Sequence, residues 1–154
     1  VSVEFAVGPK MDTSKGGTAY KYTRDFNVTI CADGQDLSSG YSFLYGGWDN
    51  KETAITRGNT VVARCDSVIP RSSGIHRRWF YLKAEKRGNT LNFFVDGVRV
   101  LTYKDPDPLP GNRVGIWTWG NGIMVSRVRI SARALGGTEP PGAAYAPCRT
   151  LYTP

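Results

Sequence analysis

Along most of this chain hydrophobic and polar side chains alternate, and this period of two is the feature that most constrains the fold. Phe26, Val28 and Ile30 are separated by polar residues, and Phe80 and Leu82 begin a second segment of the same kind. Residues with this spacing lie on one face of a β-strand, whereas an amphipathic helix needs spacings of three and four. No segment has a convincing helical period. The sequence therefore predicts an all-β protein.

Turn residues separate the alternating segments at short intervals. Gly58-Asn59 and Gly88-Asn89 stand in two copies of Arg-Gly-Asn-Thr, and Asp96-Gly97 is a strong signal for a two-residue β-hairpin. We expect the three strands between Trp79 and Lys104 to form an antiparallel meander. The predicted strands lie near residues 1–7, 25–31, 40–46, 53–57, 60–65, 79–87, 90–96, 98–104, 112–119 and 124–132. This spacing predicts a two-sheet antiparallel β-sandwich or jelly roll.

The length of 154 residues suits one domain. We expect the sandwich to occupy residues 1–132, because the sequence beyond that point is rich in Gly, Pro and Ala. Residues 133–154 are expected to form either a strap over the sandwich or a linker. The sequence contains no run of eighteen apolar residues, so no membrane-spanning helix is predicted.

The net charge of +7 favours acidic partners such as anionic polysaccharide or nucleic acid. The basic residues are scattered and no nucleic-acid-binding motif is present, so a nucleic-acid partner is not expected. Cys31, Cys65 and Cys148 allow either one disulfide with a free thiol or three thiols. We expect no cofactor. Oxygens of residues 33–36 and 49–50 could hold calcium, but turn formation also explains them.

Four motifs in the second half of the chain resemble one known superfamily. They are Trp79-Phe80-Tyr81-Leu82-Lys83, Gly88-Asn89-Thr90-Leu91, Val95-Asp96-Gly97 and the segment from Leu109 to Trp117, which ends in Gly115-Ile116-Trp117. Together they resemble the concanavalin A-like lectin/glucanase superfamily, which includes laminin-G-like domains. The resemblance implies two curved antiparallel sheets with a glycan site on the concave sheet or at the rim loops. Some members cleave glycans there and others only bind them.

Alternation along the predicted strand near 112–119 places Val114, Ile116 and Thr118 on one face and Trp117 and Trp119 on the other. The first set suits a core, and the indoles suit the flat C–H faces of a sugar ring. Candidates for stacking against sugar are Trp117, Trp119, Trp48 and Tyr45. Candidates for hydrogen bonds to sugar hydroxyls are Asp49, Asn50, Arg57, Arg113, Asn121 and Arg127. Arginines would also suit an anionic glycan. The alternative is that residues 133–154 cover the indoles.

Catalysis is not favoured by the sequence. A glycosidase needs two carboxylates placed across the scissile bond, and the Glu-x-Asp-x-Glu pattern of the glucanases is absent. Asp105 and Asp107 lie in a proline-rich loop, where a turn-forming role is expected. His76, the single histidine, is expected to lie in a surface loop.

Three hypotheses for function follow from these observations. The first is a noncatalytic, lectin-like module that binds a glycan or polysaccharide, an anionic one included, within a secreted or cell-surface protein. The second is a hydrolase or polysaccharide lyase of the same fold. The third is a laminin-G-like protein-interaction domain.

Overall fold

The computed structural model describes residues 1–10, 24–71, 75–120 and 122–132. The described residues form ten strands: β1 (Ser2–Pro9), β2 (Phe26–Ala32), β3 (Tyr41–Gly46), β4 (Glu52–Arg57), β5 (Thr60–Cys65), β6 (Phe80–Arg87), β7 (Thr90–Val95), β8 (Val98–Lys104), β9 (Arg113–Trp117) and β10 (Ile123–Ser131). Short helical turns lie at Leu37–Ser39, Gly47–Asn50 and Ile75–Arg77. The predicted strap or linker at 133–154 lies outside the described residues and stays a prediction.

The strands form two five-stranded sheets. Sheet A has the order β10-β1-β6-β7-β8, and sheet B has the order β5-β4-β3-β2-β9. Every neighbouring pair is antiparallel. This architecture confirms the predicted β-sandwich. The meander is also confirmed, because β6, β7 and β8 are neighbours joined by the turns at 88–89 and 96–97.

Alternate side chains of both sheets fill the space between them. Phe80 and Phe93 project from sheet A, Phe26 and Phe43 project from sheet B, and all four are completely buried. The ring centroids of Phe26 and Phe80 are 5.6 Å apart, and those of Phe43 and Phe93 are 5.5 Å apart. Tilted and edge-on aromatic pairs at these separations contribute beyond their buried area. Strand alternation therefore fixes which side chains point into the core and which point outward.

The proline-rich loop between β8 and β9 is fastened to sheet B by Asp105, which is buried. Its carboxylate accepts hydrogen bonds from the Tyr41 hydroxyl at 2.5 Å, the Arg57 Nε at 2.9 Å and the Asp107 backbone N–H at 2.9 Å. Burial alone would raise the pKa of Asp105, but these donors together hold it below its ordinary value. Burial, followed by the hydrogen bond to Asp105, raises the pKa of Tyr41 to about 12. Asp105 is thus a buried anchor for the loop as well as a turn residue.

Candidate functional site

A cavity of about 910 Å³ lies on the outer face of sheet B. Its floor is formed by Ser42 and Leu44 of β3 and Thr56 of β4. These residues face outward because their neighbours in sequence, such as Tyr41, Phe43 and Ile55, occupy the core. The full lining is Arg24, Asp25, Asp36, Leu37, Ser38, Ser42, Leu44, Gly47, Trp48, Asp49, Lys51, Thr56, Gly58, Asn59, Trp117, Thr118 and Trp119.

Trp117 lines the cavity and is hydrogen-bonded to a hydroxyl group of sheet B. It is half-buried, and its indole Nε1–H donates to the Thr29 Oγ1 at 2.9 Å. Thr29 in turn shares a hydrogen bond of 2.7 Å with Ser42 on the neighbouring strand. The N–H group of this indole is therefore hydrogen-bonded within the protein, and the remaining ring surface forms part of the cavity wall.

Trp119 projects from the segment after β9 and is 72% exposed. The buried carboxylate of Asp25 fixes the backbone behind it. Asp25 Oδ1 accepts from the Trp119 backbone N–H at 2.8 Å and from the Thr118 hydroxyl at 2.7 Å, while Oδ2 accepts from the Asn27 Nδ2 at 2.9 Å. Asp25 is not among the residues predicted from the sequence. The available signal was an acidic residue directly before the strongly apolar strand that begins at Phe26.

Trp48 and Asp49 are presented by an unusual left-handed turn between β3 and β4. Trp48, Asp49 and Asn50 all have positive φ, at 52°, 63° and 60°. The Lys51 backbone N–H donates to the Gly47 carbonyl at 3.0 Å and closes the turn. Left-handed backbone is unfavourable for residues other than glycine, and such strain is often kept at functional sites.

Asn50 holds this turn to the neighbouring chain segment. Its Nδ2 donates to the Ile69 carbonyl at 2.7 Å, and its Oδ1 accepts from the Ile69 backbone N–H at 2.8 Å. Asn50 is buried. Its prediction as a direct ligand contact is wrong, since both ends of its amide are engaged by the protein. It instead positions the two residues before it.

Two loops form the end of the cavity that lies opposite Trp48 and Trp119. The helical turn Leu37–Ser39 is capped by Asp36, whose carboxylate accepts from the Ser38 backbone N–H at 2.8 Å. Leu37 packs against β9 where Gly115 lies, and a Cβ at Gly115 would come within 2.9 Å of the Leu37 side chain. Beside this loop is the β4–β5 turn, which carries Gly58 and Asn59. The absence of a side chain at Gly115 therefore allows the loop to approach the sheet.

Four predicted site residues, Trp48, Asp49, Trp117 and Trp119, lie together around the cavity. Tyr45 was predicted wrongly, because it points into the core. It is 4% exposed, its ring packs edge-on against Phe80 at 5.6 Å, and burial raises its pKa to about 12. Its parity with Tyr41 and Phe43 marks a core face composed of aromatic residues, not of aliphatic ones.

The predicted arginines lie outside the cavity lining. Arg57 forms ion pairs with Asp105 at 2.9 Å and Asp107 at 3.5 Å, so its role is to fasten the β8–β9 loop. Arg113 begins β9 beside Gly34, and Arg127 lies on β10 of sheet A, at a position with φ of 53°. Arg113 shares strand β9 of sheet B with Trp117, whereas Arg127 lies on the other sheet. Neither lines the cavity, and a contact of either arginine with a ligand stays a prediction. Asn121 lies outside the described residues and stays a prediction.

The outer face of sheet A also carries aromatic side chains, including Tyr81, which is 40% exposed. The Tyr81 hydroxyl donates to the Glu4 carboxylate, and Lys83 bridges Glu4 at 3.4 Å and Glu85 at 3.3 Å. Trp79, just before β6, is 47% exposed and does not line the cavity. These residues lie on the other sheet and do not contribute to the site on sheet B.

Among the described residues, no three His, Cys, Asp or Glu side chains are grouped so that they could hold a metal ion. The Asp33 carboxylate, considered above for calcium, accepts hydrogen bonds from the Gln35 and Asp36 backbone and from the Ser39 hydroxyl. Hydrogen bonds from the Gln35 and Asp36 backbone are the largest causes of its lowered pKa. In the part of the chain that the structure describes, no helix is long and apolar enough to cross a membrane.

No family model and no curated protein sequence matches the chain. Solved structures do match. The carbohydrate-binding module CBM66 from Bacillus subtilis has a TM-score of 0.60 and 16% sequence identity, covering 82% of this chain and 71% of that chain. The Caenorhabditis elegans galectin LEC-6 has a TM-score of 0.56 and 14% identity, covering 85% of this chain and 81% of that one.

Sheep galectin-11, in a complex with glycerol, has a TM-score of 0.53 and 11% identity, covering 83% of this chain and 86% of that one. At these identities the likeness shows the fold. The chain has the jelly-roll β-sandwich also found in a carbohydrate-binding module and in galectins. This fold is compatible with the resemblance to concanavalin A-like lectins and glucanases, and membership of that superfamily stays a prediction.

Proposed function

We propose that this chain is a noncatalytic, lectin-like module that binds a glycan in the cavity on sheet B. The observation that carries the proposal is the exposure of two indoles at one end of a cavity whose floor carries hydroxyl groups. Trp48 is 47% exposed and Trp119 is 72% exposed, and they come from different loops. Isolated exposed indoles need no explanation, but two that border one cavity provide stacking surfaces for sugar rings.

The protein keeps these indoles in place at some energetic expense. The backbone of Trp48 is left-handed, and the backbone N–H of Trp119 donates to a buried carboxylate. The fold shared with a carbohydrate-binding module and with galectins adds support of a more general kind.

An uncharged glycan suits the cavity better than an anionic one. Its charged lining residues are three aspartates, at 25, 36 and 49, and two basic residues, Arg24 and Lys51. The Arg24 Nε lies 3.3 Å from the Asp49 carboxylate, so this guanidinium is already shared with an acid. We therefore propose a neutral glycan whose hydroxyls donate to Asp49 and whose ring faces stack on the indoles.

A binding role without catalysis agrees with how the lining carboxylates are used. Asp25 accepts hydrogen bonds from the backbone and side chains that follow β9, and Asp36 caps a helical turn. Asp49 is paired with Arg24. Each aspartate thus has a structural partner, whereas a glycosidase needs two carboxylates available to the scissile bond. A secreted or cell-surface location remains part of the proposal.

The test is titration of the protein with neutral oligosaccharides, monitored by indole fluorescence and by calorimetry. We expect Trp119→Ala and Trp48→Ala each to weaken binding by at least about tenfold with folding retained. Trp79→Ala is the matched control, because Trp79 has the same 47% exposure as Trp48 but lies outside the cavity. Binding that survives both cavity variants, or that is lost equally in the control, would refute the proposed site.

A further inference from the structure

The cavity has two chemically different ends. The indole end, defined by Arg24, Trp48, Asp49 and Trp119, lies where β3 leads into the left-handed turn. The loop end, defined by Asp36, Leu37, Ser38, Gly58 and Asn59, lies where β3 begins and β4 finishes. The register confirms this direction, because Tyr41 at the start of β3 is opposite Arg57 at the finish of β4.

The two ends are separated by the length of a strand. β3 has 6 residues, and at a rise of about 3.3 Å per residue it spans roughly 20 Å. The floor between the ends is continuous, with Leu44 nearer the indole end and Ser42 and Thr56 nearer the loop end. A single sugar ring is much shorter than this floor, so one ring stacked on an indole cannot also reach Asn59.

The loop end offers groups suited to a sugar. Leu37 is 40% exposed and presents an apolar surface to the cavity. Within the described part of the chain, the Asn59 side chain makes no hydrogen bond. The turn that carries Asn59 is held in place by its backbone, since the Gly58 N–H donates to the Gly40 carbonyl at 3.0 Å. Because the turn is already fixed, its exposed amide can hydrogen-bond a ligand with little loss of conformational entropy.

We propose that the loop end is a second sugar subsite, so that the ligand is an extended neutral oligosaccharide lying along β3 and not a monosaccharide or a terminal sugar alone. This inference rests on the proposed function and specifies its substrate class. One part of the oligosaccharide stacks at the indole end, and another part contacts Leu37, Ser38 and Asn59.

The sequence contains an internal control for Asn59. Residues 57–60 and 87–90 have the same letters, Arg-Gly-Asn-Thr, and both form two-residue turns with Gly58 and Gly88 at φ near 60°. Asn89 lies in the β6–β7 turn of sheet A, outside the cavity lining. The Asn89 side chain accepts a hydrogen bond from the Thr90 hydroxyl at 3.4 Å, so the two substitutions are compared by their effect on glycan binding. If Asn59 serves only the turn, Asn59→Ala should weaken binding no more than Asn89→Ala does. If Asn59 contacts the ligand, only its substitution should affect binding.

The experiment is calorimetric titration of the full chain with β-1,4-linked gluco-, manno-, galacto- and xylo-oligosaccharides of one to six rings. For the sugar that binds, we expect affinity to rise at least about tenfold from one ring to four and then to level off. Asn59→Ala should weaken binding of the four-ring chain by about fivefold or more and leave binding of the single ring unchanged. Asn89→Ala should change neither.

Three outcomes would overturn the inference while leaving the proposed function intact. They are equal affinity for one ring and four, a parallel loss for both lengths in Asn59→Ala, and an equal loss in Asn89→Ala. If neither these oligosaccharides nor the other neutral oligosaccharides of the binding test bind, the proposed function fails and the second subsite fails with it. Thermal unfolding of each variant shows whether a loss of binding reflects a loss of folding.

Discussion

The left-handed turn at Trp48–Asn50 gives the sharpest prediction about how this protein places its site. Asp49 has φ of 63° and ψ of 40°, close to the ideal left-handed conformation. A residue with a Cβ is disfavoured there by about 1–2 kcal/mol, whereas glycine is not. Asp49→Gly and Asp49→Ala both remove the carboxylate. A difference in stability between the two variants therefore reflects the backbone conformation and not the loss of charge.

At an ordinary position Ala is more stable than Gly by about 0.5–1 kcal/mol, since glycine has more freedom to lose on folding. At Asp49 the relief of left-handed strain outweighs that difference. We expect Asp49→Gly to be more stable than Asp49→Ala by about 0.5–1 kcal/mol. For a domain of about 150 residues this corresponds to a rise in Tm of roughly 1–4 °C. Both variants lose the ion pair with Arg24 equally, so it cancels in the comparison.

Urea unfolding and thermal melts measure the difference. Lys51 supplies the control, because it follows the turn with φ of −96° and ψ of −34°, in the right-handed region. There Lys51→Ala should be more stable than Lys51→Gly. Equal stability of Asp49→Ala and Asp49→Gly, or the same order of Ala and Gly at both positions, would contradict the role of left-handed strain. Both Asp49 variants should bind glycan more weakly, because both lack the carboxylate at the cavity.

Other predictions concern the anchor, the loop end and the core. Asp105→Ala should lower the free energy of unfolding by about 2 kcal/mol in urea titrations. Because its folded pKa is lowered, the stabilisation by Asp105 is complete above the unfolded pKa of about 3.9 and is lost as pH falls through the folded value. The unfolding free energy of the wild type should therefore fall more steeply below pH 4 than that of the variant. Gly115→Ala should displace Leu37 and accelerate amide hydrogen exchange in residues 36–39. Tyr45→Phe should leave glycan affinity unchanged within about twofold and lower stability by about 1 kcal/mol or less, because it removes only the hydrogen bond to the Val68 carbonyl at 3.2 Å.

The ten strands could be predicted from the sequence because their determinants are local. Alternation along β2 and β6 predicted the buried faces at Phe26, Val28, Phe80 and Leu82, all of which are completely buried. The hairpin at Asp96-Gly97 was equally clear, since a two-residue turn needs positive φ and these residues tolerate it. Alternation did not extend past the end of β9 at Trp117, since Thr118, predicted on the core face, lines the cavity together with Trp117 and Trp119.

What the sequence left open was which strands share a sheet and what packs on each face. The indoles of Trp79 and Trp119 are both exposed. Only the order of the strands shows that Trp119 lies on the cavity side of sheet B and Trp79 beside sheet A. Tyr45 was misplaced because alternation identifies two faces without saying which is inside, and an aromatic face fills a core as well as an aliphatic one.

Asn50, Arg57 and Asp25 illustrate the same limit. Their partners are Ile69, Asp105 and the backbone of Trp119, which are 19, 48 and 94 positions away. Hydrogen bonds of this range depend on how the sheets and loops come together, so no local pattern distinguishes a buried partner from an exposed ligand contact. The sequence by itself determined the strands and their two faces, because backbone sterics and side-chain period act over a few residues. Only the tertiary structure decided which polar residues line the cavity, because that depends on contacts between distant segments.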